Sequence, residues 1–244
     1  MIGTGAGPDL PGRVLAIGAH PDDLELLCSG TLARFLDLGS AVELAVACRG
    51  DRGGSGGPDP ALADRRRAEA EAAAGALGAP IRFLGFGDSD VYDSPESRAR
   101  FVSLLRESRP DLVITHPPED YHADHARVGE LAGMACWLSA SGGWVVGDRP
   151  PLGRPPVLVY MDTIAAVGFE PAHYVDISSA IDRKRRMLAC HASQTSREDG
   201  GIHALAELME VQSRLRGFQC GARFAEAFRP APLWGRIRPG GLLP

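Results

Sequence analysis

The chain is short of aromatic residues, of basic charge, of paired cysteines and of long apolar runs, and each shortage removes a class of protein. Twenty-six Lys and Arg face 31 Asp and Glu, a net charge of -5, so no broad basic face exists for a nucleic-acid backbone. No apolar stretch approaches the roughly 18 residues of a membrane-spanning helix. The opening "MIGTGAGPDLPGR" has neither the basic start nor the apolar centre of a secretory signal. The expectation is a soluble cytoplasmic protein with no membrane and no nucleic-acid partner; a homo-oligomer is compatible with the sequence. The five cysteines (Cys28, Cys48, Cys136, Cys190, Cys220) are scattered, odd in number and in no CxxC pair, which argues against a disulfide framework and against a thiolate zinc cage. They are expected to be inert core or near-core thiols. Trp137, Trp144 and Trp234 lie too far apart in sequence to suggest a sugar-stacking platform.

What is present is the alternation of an α/β protein. With 44% hydrophobic and 23% charged residues, the 244-residue chain is long enough for one substantial core. Strands are expected at 13–19, 41–48, 81–86, 111–116 and 156–162, each rich in Val, Ile and Leu. The segment "DLELLCSGTLARFLDLG" reads as one helix, "ALADRRRAEAEAAAGALG" as a second ending at Gly78, and "SPESRARFVSLLRESRP" as a third capped by Ser94 and Pro95. A short strand and two helices follow in "HYVDISSAIDRKRRMLACHAS" and "IHALAELMEVQSRLRGF". The fold class is therefore a Rossmann-like parallel sheet with helices on both faces, in a single domain whose core spans about residues 13–229, the C-terminal third capping the site. "RGGSGGP" is the one low-complexity loop.

Chemistry concentrates in two places. "AHPDDLEL" follows the first strand, and its structural reading is helix initiation: Asp22 as N-cap, Glu25 closing a capping box, Asp23 beside the helix dipole. "THPPEDYHADHARV" follows a later strand, and the carboxyl ends of strands in an open α/β sheet share one edge. The two clusters should then meet. An imidazole and a carboxylate from the first loop and an imidazole from the second form an N/O ligand set with an open position, the form of a catalytic zinc site. Such a set also accommodates ferrous iron.

The ordered pieces "AHPDD", "RRAE" with "ALG", "LGFGDSD", "HADH", "CHASQ" with an upstream lysine, and "FAEAF" resemble the LmbE-like or PIG-L-type zinc N-deacetylases. The resemblance implies His20, Asp23 and His125 as Zn2+ ligands, Asp22 as catalytic base and His122 as second catalytic group, a protonated imidazole stabilising the oxyanion. Asp124 is the expected partner that orients a histidine. The family pattern also points to Arg66 and Asp88 as sugar contacts, with Asp51 and Tyr121 as weaker candidates and Asp93 as a competitor of Asp88. Ala123 stands where the family has proline, and Tyr121 directly precedes His122 rather than standing two positions before it.

His191, Ser193 and Gln194 are expected at the rim, and Lys184 as a solvated helix charge. The expected activity is metal-dependent removal of an acyl group, most simply acetyl, from an N-acetylglucosamine-like sugar or glycoconjugate. An amidase for a larger N-acyl group is the rival within the enzyme class. A dinucleotide-binding protein is disfavoured because "GTGAG" precedes the first strand rather than following it, and a silent sugar-binding module because base and ligands are all present.

Overall fold

A computed structural model of the chain describes residues 10–54, 56–195 and 205–232. Seven strands form one sheet in the order β3-β2-β1-β4-β5-β7-β6. They are β1 (Arg13–Gly18), β2 (Ala41–Cys48), β3 (Ile81–Phe86), β4 (Leu112–Thr115), β5 (Val157–Met161), β6 (His173–Asp176) and β7 (Ala225–Pro230). β1 to β5 run parallel, while β7 lies antiparallel to both β5 and β6. The sheet is thus mixed at one side, where the sequence suggested parallel strands throughout. "FAEAF" is the strand that does this, and its polar Glu226 hides it from an apolar-run reading.

The helices are α1 (Asp23–Leu27), α2 (Ser29–Asp37), α3 (Pro60–Leu77), α4 (Pro95–Ser108), α5 (Ala123–Leu138), α6 (Ile181–Ala189), α7 (Ala192–Thr195) and α8 (Leu205–Cys220). The alternation along β1 divides the core in two. Val14 and Ala16 pack with α1, α2 and α6, whereas Leu15 and Ile17 pack with Phe101, Val128 and Leu131 of α4 and α5. The caps act as the sequence implies: Asp59 Oδ1 accepts the Ala61 N–H before Pro60 opens α3, and Ser94 Oγ accepts the Ser97 N–H. Three of the cysteines are buried, Cys190 is half-buried and Cys220 is exposed, so the core-thiol expectation fails at Cys220.

The first crossover helix is broken. Cys28 takes φ -145 and divides α1 from α2, and Glu226 of β7 occupies the start of α2, accepting the Gly30 and Thr31 N–H groups at 2.9 and 2.7 Å. Lys184 is buried, donating to Leu26 O at 2.7 Å and to Glu226. It is no solvated helix charge: it neutralises a carboxylate that the β7 strand carries into the core. The clamp joins α6 and β7 to the helix pair that opens the functional edge.

Candidate metal centre and active site

β1 and β4 are neighbours, with Ile17 paired to Thr115, so the segments leaving them emerge side by side at the point where strand order reverses. After β1 the backbone makes an abrupt turn in which Asp22 takes φ 112 and ψ -21. A residue with a Cβ held there stores on the order of 1–3 kcal/mol, and such strain collects at functional positions. The turn parts two adjacent carboxylates, sending Asp22 to Arg66 and Asp23 to His116 and His125. The expected capping box does not form: Asp22 makes no side-chain cap, and Glu25 is buried 3.4 Å from His191 Nε2.

After β4 come His116 and a turn shaped by Asp120, whose Oδ1 accepts the His122 N–H at 2.8 Å. His122 caps α5, its Nδ1 accepting the Asp124 N–H at 3.2 Å. His125 lies in the first turn of α5. That helix approaches the strand end closely because Gly129 has no side chain; a Cβ there would collide with the carbonyl oxygen of His116.

The geometry around Asp23 is specific. Its Oδ2 accepts the His20 N–H at 2.7 Å and lies 3.1 Å from His116 Nε2; its Oδ1 lies 3.3 Å from His125 Nε2. His20 has Nε2 at 2.9 Å from Asp124 Oδ2 and Nδ1 at 3.7 Å from Asp23. His125 has Nδ1 at 3.2 Å from Asp120 Oδ2. His20 and His125 therefore each place one nitrogen on a carboxylate and turn the other toward Asp23, the arrangement that fixes tautomer and ring direction in histidine metal ligands. Potential ligand atoms within 4.8 Å of one another group as His20/His122/His125, Asp23/His116/His125 and His20/Cys48/Asp88; the expected set of His20, Asp23 and His125 is divided between the first two. His20, Asp23, His122 and His125 line a cavity of about 270 Å3; His116 is wholly buried behind them.

Charge in the cluster fits a cation. Burial opposes the charged form of His20, yet Asp124 and Asp23 push its pKa up to about 10. Burial likewise opposes protonation of His125, and Asp23 and Asp120 raise it to about 9. Burial, with His125 beside it, lowers His116 to about 4. Carboxylates that hold protons on two imidazoles this firmly form a donor set in which a divalent ion can replace those protons.

Burial raises Asp22 to about 6 against the opposing pull of Arg66, which suits a base working near neutrality. Burial, then His125 and His20, lower His122. With Nδ1 accepting the Asp124 N–H, its neutral form carries the proton on Nε2, and the lowered pKa favours that form, whereas the resemblance implies a protonated imidazole.

The other expected contacts divide. Arg66, expected as a sugar contact, borders the cavity but is buried, its Nη2 donating to Pro21 O at 2.6 Å and to Asp22 Oδ2 at 3.1 Å. The backbone opens for it at Gly50, φ +74, where a Cβ would lie 2.8 Å from Arg66 Cδ. Asp88 lines the cavity and accepts the Gly50 and Arg52 N–H groups at 2.7 and 2.9 Å. Asp51 accepts the Asp88 N–H at 2.9 Å and does not line the cavity. Tyr121 is exposed and lies outside the cavity lining, and Asp93 pairs with Arg98 at the surface. Asp124 is buried and also accepts the Ser89 N–H at 3.0 Å. Ser193 is held by Glu69, and His191 lies buried behind Asp22.

His116 and Asp120 received no role from the sequence. The signal was available at His116, a histidine ending an apolar strand just as His20 follows one. Asp120 had none, because its role depends on the turn that folds it back onto His125.

The PIG-L profile, described as GlcNAc-PI de-N-acetylase, matches residues 15–136. Diacetylchitobiose deacetylase of Thermococcus kodakarensis is 31% identical over 236 residues, covering 90% of this chain and 83% of that protein. The 4-oxalmesaconate hydratase of Pseudomonas putida is 28% identical over 189 residues, covering 74% of this chain and 73% of that protein. Among solved structures, N,N'-diacetylchitobiose deacetylase from Pyrococcus horikoshii superposes with a TM-score of 0.77 at 26% identity, covering 91% of this chain and 84% of that one. Both functional segments, at residues 19–23 and 116–125, fall within the matched stretch, and on these grounds the chain belongs to the PIG-L family.

Proposed function

We propose that the protein is a single-domain, metal-dependent N-deacylase that releases a free amine from an N-acetylglucosamine-like sugar or glycoconjugate. The observation that carries this reading is the division of labour between adjacent aspartates: Asp23 faces the imidazoles, Asp22 faces Arg66, and both border one cavity. His20, Asp23 and His125 would hold the ion, Zn2+ first and Fe2+ as its competitor, because this set turns a face to the cavity that the buried His116 set does not. A bound ion supplies Lewis acidity, polarising the amide carbonyl and acidifying water.

The protein's own residues supply the rest. Asp22, raised toward neutrality by burial and steadied by Arg66, accepts a proton from the attacking water. His122 presents Nε2–H to the oxygen that gains charge, and the proton that Asp22 takes from the water passes on to the departing amine. Asp124 and Asp120 keep His20 and His125 aimed, and His116 holds Asp23 from behind. Arg52, Asp88 and Ser89 on the cavity lining offer hydrogen bonds to sugar hydroxyls. Among the described residues no helix is long and apolar enough to cross a membrane, and a cytoplasmic location belongs to the same reading.

The test is amine release from N-acetylglucosamine, diacetylchitobiose and inositol-linked N-acetylglucosamine, with metal-stripped and reconstituted protein. Release that returns with Zn2+ or Fe2+ supports the reading. Absence of release across the panel, together with hydration of an unsaturated dicarboxylate, would move the protein to the chemistry named for the Pseudomonas relative.

A further inference from the structure

Part of the cavity wall has nothing to offer a hydroxyl. Leu26, Ile164 and Leu205 line the same space as the candidate catalytic groups. Leu26 follows Asp23 by three residues on α1, which places it on the helix face that carries that carboxylate. An apolar wall therefore adjoins the position that an acyl carbonyl must occupy to lie between Asp22 and Asp23.

Ile164 is delivered to this wall by an unusual turn. Ala165 takes φ 57 and ψ 18, and Ala166 takes φ 58, so two successive residues with a Cβ are left-handed. Such backbone persists only where its surroundings over-determine it. Here α8 does so twice. Gln212 accepts the Ala165 N–H and donates to Thr163 O, both at 2.9 Å, using its acceptor and its donor on one turn. Four residues on, Arg216 grips Asp162 with a fork at 2.6 and 2.9 Å, both side chains buried, and Asp162 in turn accepts the Thr163 N–H at 2.9 Å. Thr163 Oγ1 closes the turn onto Val167 O at 2.7 Å. The local backbone preference is overridden by these six hydrogen bonds, and the side chain so presented is an isoleucine that lines the cavity of the candidate catalytic groups.

We propose that the turn Thr163–Val167 selects the acyl group: Ile164, with Leu26 and Leu205, forms a subsite for the alkyl part of the acyl chain, and Gln212 and Arg216 are positioning residues that fix its depth. The proposal rests on the deacylase reading above. Hydroxyl-bearing sugar is matched by the Arg52, Asp88 and Ser89 part of the lining, whereas an alkyl chain gains only where water leaves apolar surface. An acyl chain longer than acetyl would then gain by burial against these three side chains.

The test uses straight-chain hydroxamic acids, whose head chelates a metal while the tail lies where an acyl chain would. Acetohydroxamic, butyrohydroxamic and hexanohydroxamic acids are titrated calorimetrically into the zinc-loaded full chain. The wild type should bind the butyro compound roughly tenfold tighter than the aceto compound, the gain expected from burying two methylenes. Ile164→Trp should abolish that gain, the butyro compound then binding no tighter than the aceto compound, and Ile164→Ala should extend the gain to the hexano compound. Gln212→Leu should flatten the series at unchanged zinc content; if that variant does not fold, the two Ile164 variants decide. No chain-length gain in the wild type, or the same gain in both Ile164 variants, overturns the proposal. A parallel amine-release assay on N-acetyl-, N-butyryl- and N-hexanoylglucosamine separates the two readings. The expected hydroxamate pattern without any amine release would overturn the deacylase reading and leave an alkyl subsite beside the ion, whereas amine release with a flat hydroxamate series would overturn the subsite alone.

Discussion

Nε2 of His20 meets Oδ2 of Asp124 at 2.9 Å across 104 residues of sequence, and the same oxygen accepts the Ser89 N–H. One carboxylate thereby joins the segment after β1, the segment after β3 and the start of α5. With Nε2 so occupied, only Nδ1 of His20 is left for an ion. Asp124→Asn should retain the fold and lower zinc affinity by about 10- to 100-fold, the usual consequence of losing a carboxylate behind a histidine ligand. Competition with a chelator of known affinity measures this.

Arg66 lowers the Asp22 pKa while burial raises it. Removing the guanidinium leaves burial unopposed, so the carboxyl is protonated up to a higher pH and the base form is lost there. In Arg66→Met the acidic limb of the kcat/KM profile should therefore move upward in pH, with zinc content unchanged. An unmoved limb would separate Arg66 from the base.

Lys184 and Glu226 form a buried pair that also holds Leu26 O and the start of α2. Lys184→Met should destabilise the protein by about 3–5 kcal/mol, because Glu226 is then a buried charge without its partner. Urea denaturation reads this directly. Lys184→Met with Glu226→Gln should recover part of the loss.

The fold was legible where one local rule decides. β1, β2, β4 and β5 are apolar strands, and α3 and α4 carry their own caps, so the parallel core follows from sequence. Partners distant in sequence were not legible. The start of α2 after the break at Cys28 is held by Glu226 of β7, which receives no role from the sequence, and Glu226 by Lys184 of α6, which locally reads as a solvated charge. Arg66 looks like one of three adjacent helix arginines until the glycine-opened loop at Gly50 admits it to Asp22. At the site itself, the two motif segments meet where strand topology puts them, and His20, Asp22, Asp23, His122 and His125 line one cavity. Their supports, His116 behind Asp23 and Asp120 behind His125, depend on a turn geometry that residue types alone do not reveal.

The central claim is that Asp22 and Asp23, adjacent in sequence, hold different positions in the chemistry. Zinc stoichiometry and amine release from diacetylchitobiose, measured side by side in Asp22→Asn and Asp23→Asn, test it most directly. The account predicts that Asp22→Asn keeps one zinc ion per chain and loses turnover by at least about a hundredfold, whereas Asp23→Asn loses the ion and activity together. Loss of zinc in Asp22→Asn, or wild-type turnover in either variant, would contradict it.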